Sequence, residues 1–477
     1  MQSLLLAILM AAGPQGAPPP AAPQAAELDG NAAYYFLLGR RLEGQGKIDE
    51  AVAAHKRAIE LQPDSAELRA ELAGLYARQD RAAEALEMAE AALKSDPDNQ
   101  EANRILGSIY AAFSDQKHAL RPGEDPADYP RRAIAALEKA RQPGGFDVGL
   151  DLTLGRLYVQ TAEFAKAVPI LQRVVADQPG YPDAAFLLAI AQEGAGRPAD
   201  AITTLQQVLQ NHPRFYRGQL RLAELYEREK QYAAAAAAYE RAQALNPRAA
   251  ALTARRAASL INAGKPAQAR EILEQALSAA KPGTQDTMQL YLLAEAQRVL
   301  ADYDAAEGSA RQVLAKDPDD IRALHVLSLI LQDKGSYDEA EKILRDLIAR
   351  DPRDANALNS LGYMLAERGE RLDEAVGLLQ RALKLEPGNP SYLDSLGWAY
   401  VQQGRLDLAD KPLTEAAAQL EDSSVVQDHL GDLRFKQRRY ADAAAAWERA
   451  LAGDGVSISR PKIEQKLRDA RGRMESR

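Results

Sequence analysis

Residues 179–247 read PGYPDAAFLLAIAQEGAGRPADAITTLQQVLQNHPRFYRGQLRLAELYEREKQYAAAAAAYERAQALNP, and this stretch decides the fold. Its prolines Pro179, Pro213 and Pro247 stand 34 residues apart. The same interval separates Pro63 from Pro97 and Pro318 from Pro352, so the chain reads as a repeat array. A prior of roughly 150 residues per domain would give about three globular domains, and the period sets that prior aside.

Numbered from position 1 of each repeat, position 8 is small: Ala189 and Ala223 in the stretch above, and Gly39, Ala73, Gly107, Gly155, Gly362, Gly397 and Gly431 elsewhere. Leu precedes it in nearly every repeat. Position 20 is alanine, as in Ala201 and Ala235, and position 27 is usually Ala or Val. Position 15 carries Gly46, Gly196, Gly264, Gly335 and Gly404, where a helix closing through a left-handed residue favours glycine. Three residues later Asp49, Asp304, Asp338 and Asp407 suit a helix start. The pattern predicts two antiparallel helices per repeat, drawn together at the small positions and spaced by Leu and Tyr between layers. Helices of about a dozen residues are marginal alone, so the repeats must stack.

Leu and a small residue at 7 and 8, Tyr at 11, Ala at 20 and 27 and Pro at 32 together resemble the tetratricopeptide repeat family. The resemblance implies an all-α chain, a right-handed α-solenoid superhelix of about twelve helix-turn-helix repeats. They begin near Ala32, Ala66, Gln100, Val148, Pro182, Tyr216, Ala250, Thr287, Ile321, Ala355, Pro390 and Ser424, covering residues 32–457. The third repeat carries a loop insertion at 113–130, read either as a tolerated surface loop or as a partner contact. The seventh places Arg256 where Leu is expected and moves its proline to Pro282, which points to a looser joint. The last two repeats lack the closing proline. Residues 458–477 read as a capping helix with Ile463, Leu467, Ala470 and Met474 on one face.

Ahead of the array, Ser3 to Ala12 (SLLLAILMAA) is too short to span a bilayer core of about 30 Å. It fits the apolar core of a signal peptide, residues 1–12, followed by a Pro/Ala-rich tether over 13–31. The expected location is therefore exported and periplasmic, the alternatives being cytoplasmic or N-terminally anchored. No later segment has the length of a transmembrane span. With 59 Lys and Arg against 68 Asp and Glu, the net charge of -9 argues against nucleic-acid binding. Cysteine is absent, which removes disulfides, thiolate nucleophiles and Cys-ligated zinc.

Nothing in the sequence points to catalysis. The five histidines form no metal pair, and phosphate loops, nucleophile elbows and dinucleotide fingerprints are missing. The expectation is no enzyme, no catalytic residue, no cofactor, no metal and no small-molecule substrate. By resemblance to the family, positions 2, 5, 6, 9, 12 and 13 line a concave groove. In the early and middle repeats these are Arg40, Arg104, Arg156, Arg217, Arg221, Arg228, Arg255 and Arg298 among glutamates, a hydrated wall or a seat for an acidic peptide. The last four repeats place His325, Asn356, Asn359, Tyr363, Asp394, Ser395, Trp398, Asp428, His429, Asp432 and Phe435 there. Amides beside aromatic anchors suit an extended peptide. The expected peptide-binding set is Asn356, Asn359, Tyr363, Asp394, Trp398, His325 and His429, with surface or intrarepeat packing as the competing reading. Trp447, at position 24, is expected to pack between helices.

The functional expectation is a noncatalytic bacterial scaffold that holds protein or peptide partners in its groove, in envelope assembly or secretion. Two rivals stand beside it. One is a substrate-selecting or regulatory subunit of a separately encoded enzyme; the other is a structural module that uses its convex face or the insertion.

Overall fold

The computed structural model describes residues 30–475 apart from 117, 118, 143, 248, 282, 456 and 457. The apolar run at the N-terminus, the tether up to residue 29, His118 and Pro282 lie outside the described residues. Among the described residues all regular structure is helical. The first four pairs are α1 (Ala32–Gly44) with α2 (Ile48–Leu61), α3 (Ala66–Arg78) with α4 (Ala82–Ser95), α5 (Gln100–Gln116) with α6 (Tyr129–Ala140), and α7 (Val148–Gln160) with α8 (Phe164–Asp177). The next four are α9 (Pro182–Gly194) with α10 (Pro198–Asn211), α11 (Tyr216–Arg228) with α12 (Tyr232–Leu245), α13 (Ala250–Asn262) with α14 (Pro266–Ala279), and α15 (Thr287–Val299) with α16 (Tyr303–Lys316). The last four are α17 (Ile321–Asp333) with α18 (Tyr337–Arg350), α19 (Ala355–Glu367) with α20 (Leu372–Leu385), α21 (Pro390–Gln402) with α22 (Leu406–Gln419), and α23 (Ser424–Lys436) with α24 (Tyr440–Ala452). A final helix, α25, spans Arg460–Glu475. Each first helix starts on the residue read as position 1, and the starts fall 34 residues apart except after the third, seventh and tenth repeats, which carry extra residues.

The chain divides into two compact bodies, up to Leu225 and from Tyr226 on, the division falling inside α11. Each is a stack of helix pairs. The N-terminal body has a core that includes Leu72, Leu75, Leu86, Leu137, Leu157 and Leu171. The C-terminal body is built around residues such as Leu344, Leu358, Leu361, Leu379 and Leu413.

The turn inside each pair explains the glycines. Position 15 has positive φ at Gly46, Gly196, Gly264, Gly335, Gly369 and Gly404, and also at Asp80, Ala162, Lys230, Ala301 and Arg438. The next residue donates its N–H back to the carbonyl at position 11, as from Lys47 to Leu42, Ser336 to Leu331 and Arg405 to Tyr400. This six-to-one bond with a left-handed residue is the Schellman closure of a helix. First helices are capped from the residue before them: Asn31, Ser65, Asp147, Asp286, Asp320, Asp354 and Asn389 each accept backbone N–H groups in the first turn. Asn31, at the edge of the expected tether, thus opens the array.

Small residues at position 8 face position 24 of the partner helix. A Cβ on Gly397 would stand 2.4 Å from Leu413, and one on Gly431 2.4 Å from Trp447. The bulk of Trp447, 1% exposed, is accommodated because its partner is glycine.

The departures have local causes. Helix α5 continues to Gln116, so the insertion begins later than 113, and it closes through a 3-10 turn at Pro126–Asp128. The buried Tyr129 hydroxyl donates to Glu124 and accepts from the Leu120 N–H, and Arg121 grips both Glu90 oxygens. Arg256 turns from its expected core place to meet Glu240 at 2.5 Å and lines a cleft of about 670 Å³ with Ile272, Ala276 and Thr284. The tenth repeat has one extra residue in its turn, and Arg371 takes a second positive φ. On α25 Ile463, Leu467 and Ala470 are buried against Trp447, Ala443 and Ala444, whereas Met474 is exposed.

Candidate functional site

In the C-terminal body the first helices α17, α19, α21 and α23 touch in sequence and form a wall. Positions 5, 9 and 13 lie one turn apart on a helix and share a face, so the wall carries rows. Row 5 is His325, Asn359, Asp394 and Asp428; row 9 is Leu329, Tyr363, Trp398 and Asp432; row 13 begins with Asp333 and Glu367.

Neighbouring rungs are bonded to each other. His325 Nε2 meets Asp354 Oδ2, the cap of α19, at 2.8 Å. The Tyr392 hydroxyl donates to Asn356 Oδ1 at 2.8 Å. Trp398 Nε1 donates to Glu367 Oε2 at 2.8 Å. His429 Nδ1 stands 3.0 Å from each Asp394 oxygen, and its ring stacks on Trp398 with centroids 4.2 Å apart and planes 13° from parallel. At the end of the wall Lys466 of α25 reaches Asp428 and Asp432, each at 2.8 Å.

This geometry sorts the expected residues. Trp398, Asp394 and His429 are 9%, 6% and 5% exposed, and the Trp398 indole N–H, the Asp394 carboxylate and His429 Nδ1 are each bonded to a neighbouring repeat. Asn356 is exposed, while His325, Asn359 and Tyr363 are half-buried at the surface of the wall. Asn359 Oδ1 is buried without a hydrogen-bond partner. The Tyr363 hydroxyl bonds to Glu367, and burial pushes its pKa up. Of the other groove residues, Ser395 bonds back to the Ser391 carbonyl and Phe435 packs on Tyr440 and Trp447.

Burial opposes a charged His429, but the Asp394 carboxylate, followed by Glu367 and Asp428, more than offsets it and holds the imidazole above its usual value. Burial likewise opposes the Lys466 ammonium, and Asp432 and Asp428 keep it above the ordinary lysine value.

Wall residues missed in the sequence include Leu329, 36% exposed in row 9, Asp333 and Glu367 in row 13, and Lys466, which lies beyond the repeats. Leu329 was findable, since it sits in the register of Tyr363 and Trp398. Lys466 was not, because only the packing of α25 brings it to the wall.

The arginine-rich stretch is different. Arg40 meets Glu71 at 2.8 Å, Arg221 meets Glu193 at 2.6 Å and Arg298 meets Asp333 at 3.0 Å, while Arg104 binds Glu101. In the N-terminal body Gly74 and Ser108, both at position 9, leave a recess of about 680 Å³ over Ile105, Ile109 and Phe113.

Among the described residues no helix is long and apolar enough to cross a membrane, and no group of three or more His, Asp or Glu could hold a metal ion. Stacked helix pairs that offer a ribbed wall define a class of protein, the helical-repeat interaction scaffolds. Tetratricopeptide repeat models match residues 325–390, 370–424 and 429–461, residues 42–109 and 162–222, and residues 216–248, more than half of the chain. The protein belongs to the tetratricopeptide repeat family.

Relatives extend over part of it. A TPR repeat-containing protein of Pseudomonas aeruginosa is 31% identical over 174 residues, 36% of this chain and 29% of the relative. BBSome complex member bbs-4 of Caenorhabditis elegans is 34% identical over 102 residues, 21% of this chain and 22% of the relative. The chain thus spans less than a third of the length of these curated relatives. Among solved structures it is similar to yeast Tom70, with a TM-score of 0.45 and 15% identity over 93% of this chain and 96% of that one. It is also similar to a tetratricopeptide repeat protein from Parabacteroides merdae, with a TM-score of 0.43 and 16% identity over 54% of this chain and 98% of that one.

Proposed function

We propose that the protein is a noncatalytic scaffold that holds an extended segment of a partner protein across the wall formed by α17, α19 and α21. The observation that carries this is the row on three successive first helices: Leu329 and Tyr363 are accessible in row 9 beside His325 and Asn359 in row 5, and the buried Trp398 and Asp394 continue the two rows on α21. Packed helices lie about 8–10 Å apart, and an extended chain rises about 3.1–3.3 Å per residue. One repeat is therefore crossed by about three residues, and every third side chain of the segment meets row 9. The Asn359 amide is half-buried in row 5, and its NH2 group offers donors to a peptide carbonyl, its own carbonyl oxygen being buried. Because the wall is preformed, the ordering cost falls mainly on the segment.

Selection of a peptide from a random library on the immobilised full chain, followed by titration, tests the reading. Leu329→Ser and Tyr363→Ala are each expected to weaken the selected peptide at least about tenfold, or about 1.4 kcal/mol, with unchanged helical content. Retention of full affinity by the double variant would place binding elsewhere.

The apolar run Ser3–Ala12 and the small residues behind it support export, and with it a role in envelope assembly or secretion. N-terminal sequencing of the mature protein checks this: a chain still beginning at Met1 contradicts cleavage.

A further inference from the structure

We propose that Asp394, Trp398 and His429 form a proton-operated latch that couples the eleventh repeat to the twelfth and sets the stiffness of the wall. The latch is a contact between helices: Asp394 and Trp398 come from α21 and His429 from α23. Trp398 passes the link on to α19 through its indole N–H to Glu367. One imidazole therefore ties three consecutive first helices, by a hydrogen bond to a buried carboxylate on one side and a ring stack on the other.

The surroundings determine how the latch responds to a proton. The charged groups facing His429 are Asp394 from α21, Glu367 from α19, and Asp428 and Asp432 from its own helix; the Tyr363 ring lies 6.2 Å away. Lys466 from α25 is the cation among them, and it is committed to Asp428 and Asp432. Four carboxylates against one ammonium favour an imidazolium despite its burial. Nδ1 is held by Asp394, so the proton that comes and goes is the one on Nε2. With that proton present, Asp394 receives a charge-assisted bond and Trp398 a cation against its face. Without it, a buried carboxylate faces a neutral ring, and the contact between α21 and α23 weakens.

The folded-state value of His429 is raised. Its contribution is therefore complete below the unfolded value of about 6.5 and is lost as pH rises through the higher folded value. The latch does not depend on peptide binding. Only its consequence, that a loosened α21 frees Trp398 for a partner, rests on the proposed function.

Trp398 reports on the latch directly, because an imidazolium stacked on an indole quenches it, and among the described residues the other tryptophan, Trp447, has no histidine in ring contact. The experiment is a fluorescence pH titration of the full chain without any peptide, paired with amide hydrogen exchange. Emission is expected to rise with a midpoint above pH 6.5, and exchange in α21 and α23 to quicken at least about tenfold through the same interval, relative to α9 as an internal reference. Both changes disappear in His429→Gln. In Asp394→Asn, which keeps ring and stack, the midpoint falls by about one pH unit or more, so the proposal stays testable if the first variant fails to fold. A midpoint at or below 6.5, a step that survives in folded His429→Gln, or an unmoved midpoint in Asp394→Asn overturns it.

Discussion

Ala301 has a φ of 59° and Gly335, one repeat later, a φ of 80°, so the same turn is built from an alanine and from a glycine. A side chain in the left-handed region carries a steric cost that glycine avoids. Ala301→Gly is therefore expected to stabilise the C-terminal body by about 0.5–1 kcal/mol, and Gly335→Ala to destabilise it by a similar amount, both read from urea unfolding. Glycine in the turn was legible at Gly46, Gly196, Gly264, Gly335 and Gly404, and Gly369 in the same register was missed. The left-handed Asp80, Ala162, Lys230, Ala301 and Arg438 were not, because their own preferences point elsewhere and the Schellman bond imposes the conformation. His55 fills position 24 of the first repeat against Gly39, with both ring nitrogens buried and unpartnered, and burial lowers its pKa despite Glu71 and Glu43. A depressed histidine contributes stability that is present above the unfolded value of about 6.5 and lost as pH falls toward the folded value. Acid should loosen the first repeat while it tightens the latch of the eleventh and twelfth. His55→Leu should flatten the slope below pH 6.5 in the N-terminal body, and an unchanged slope would show that another group titrates there.

Helix α25 shows what a single element adds. Its apolar stripe was readable from Ile463, Leu467 and Ala470, but its polar anchor was not. Lys466 crosses to Asp428 and Asp432 on α23, a contact spanning more than thirty residues that no local pattern encodes. Removing it leaves two half-buried carboxylates on the wall without their cation. Lys466→Ala should cost about 1.5–3 kcal/mol in the urea unfolding of the C-terminal body. An effect below about 0.5 kcal/mol would mean that the apolar stripe alone secures α25. The insertion between α5 and α6 gives a parallel lesson. Its length suggested a tolerated surface loop or a partner contact; Tyr129, Glu124, Arg121 and Glu90 pin it to the N-terminal body, and the length of α5 already absorbs part of it.

Across the molecule, stability comes from nearest-neighbour stacking, which is why a period in the sequence was enough to place the helix pairs. The rule joining positions 8 and 24 is local, and residues such as Gly397 and Leu413 or Gly431 and Trp447 state it openly. The wall was legible only in part, because its chemistry is settled between repeats. Trp398 looked like an exposed anchor at position 9; its indole is spent on Glu367 and its face on His429, and the accessible part of the row shifts to Leu329 and Tyr363. A partner segment is expected to lie across this row. Hydrogen exchange on the full chain, with and without a saturating selected peptide, tests it most directly. Peptide-dependent protection is expected to concentrate in α17, α19 and α21; protection confined to the second helices α18, α20 and α22, or to the insertion after α5, would place the partner elsewhere.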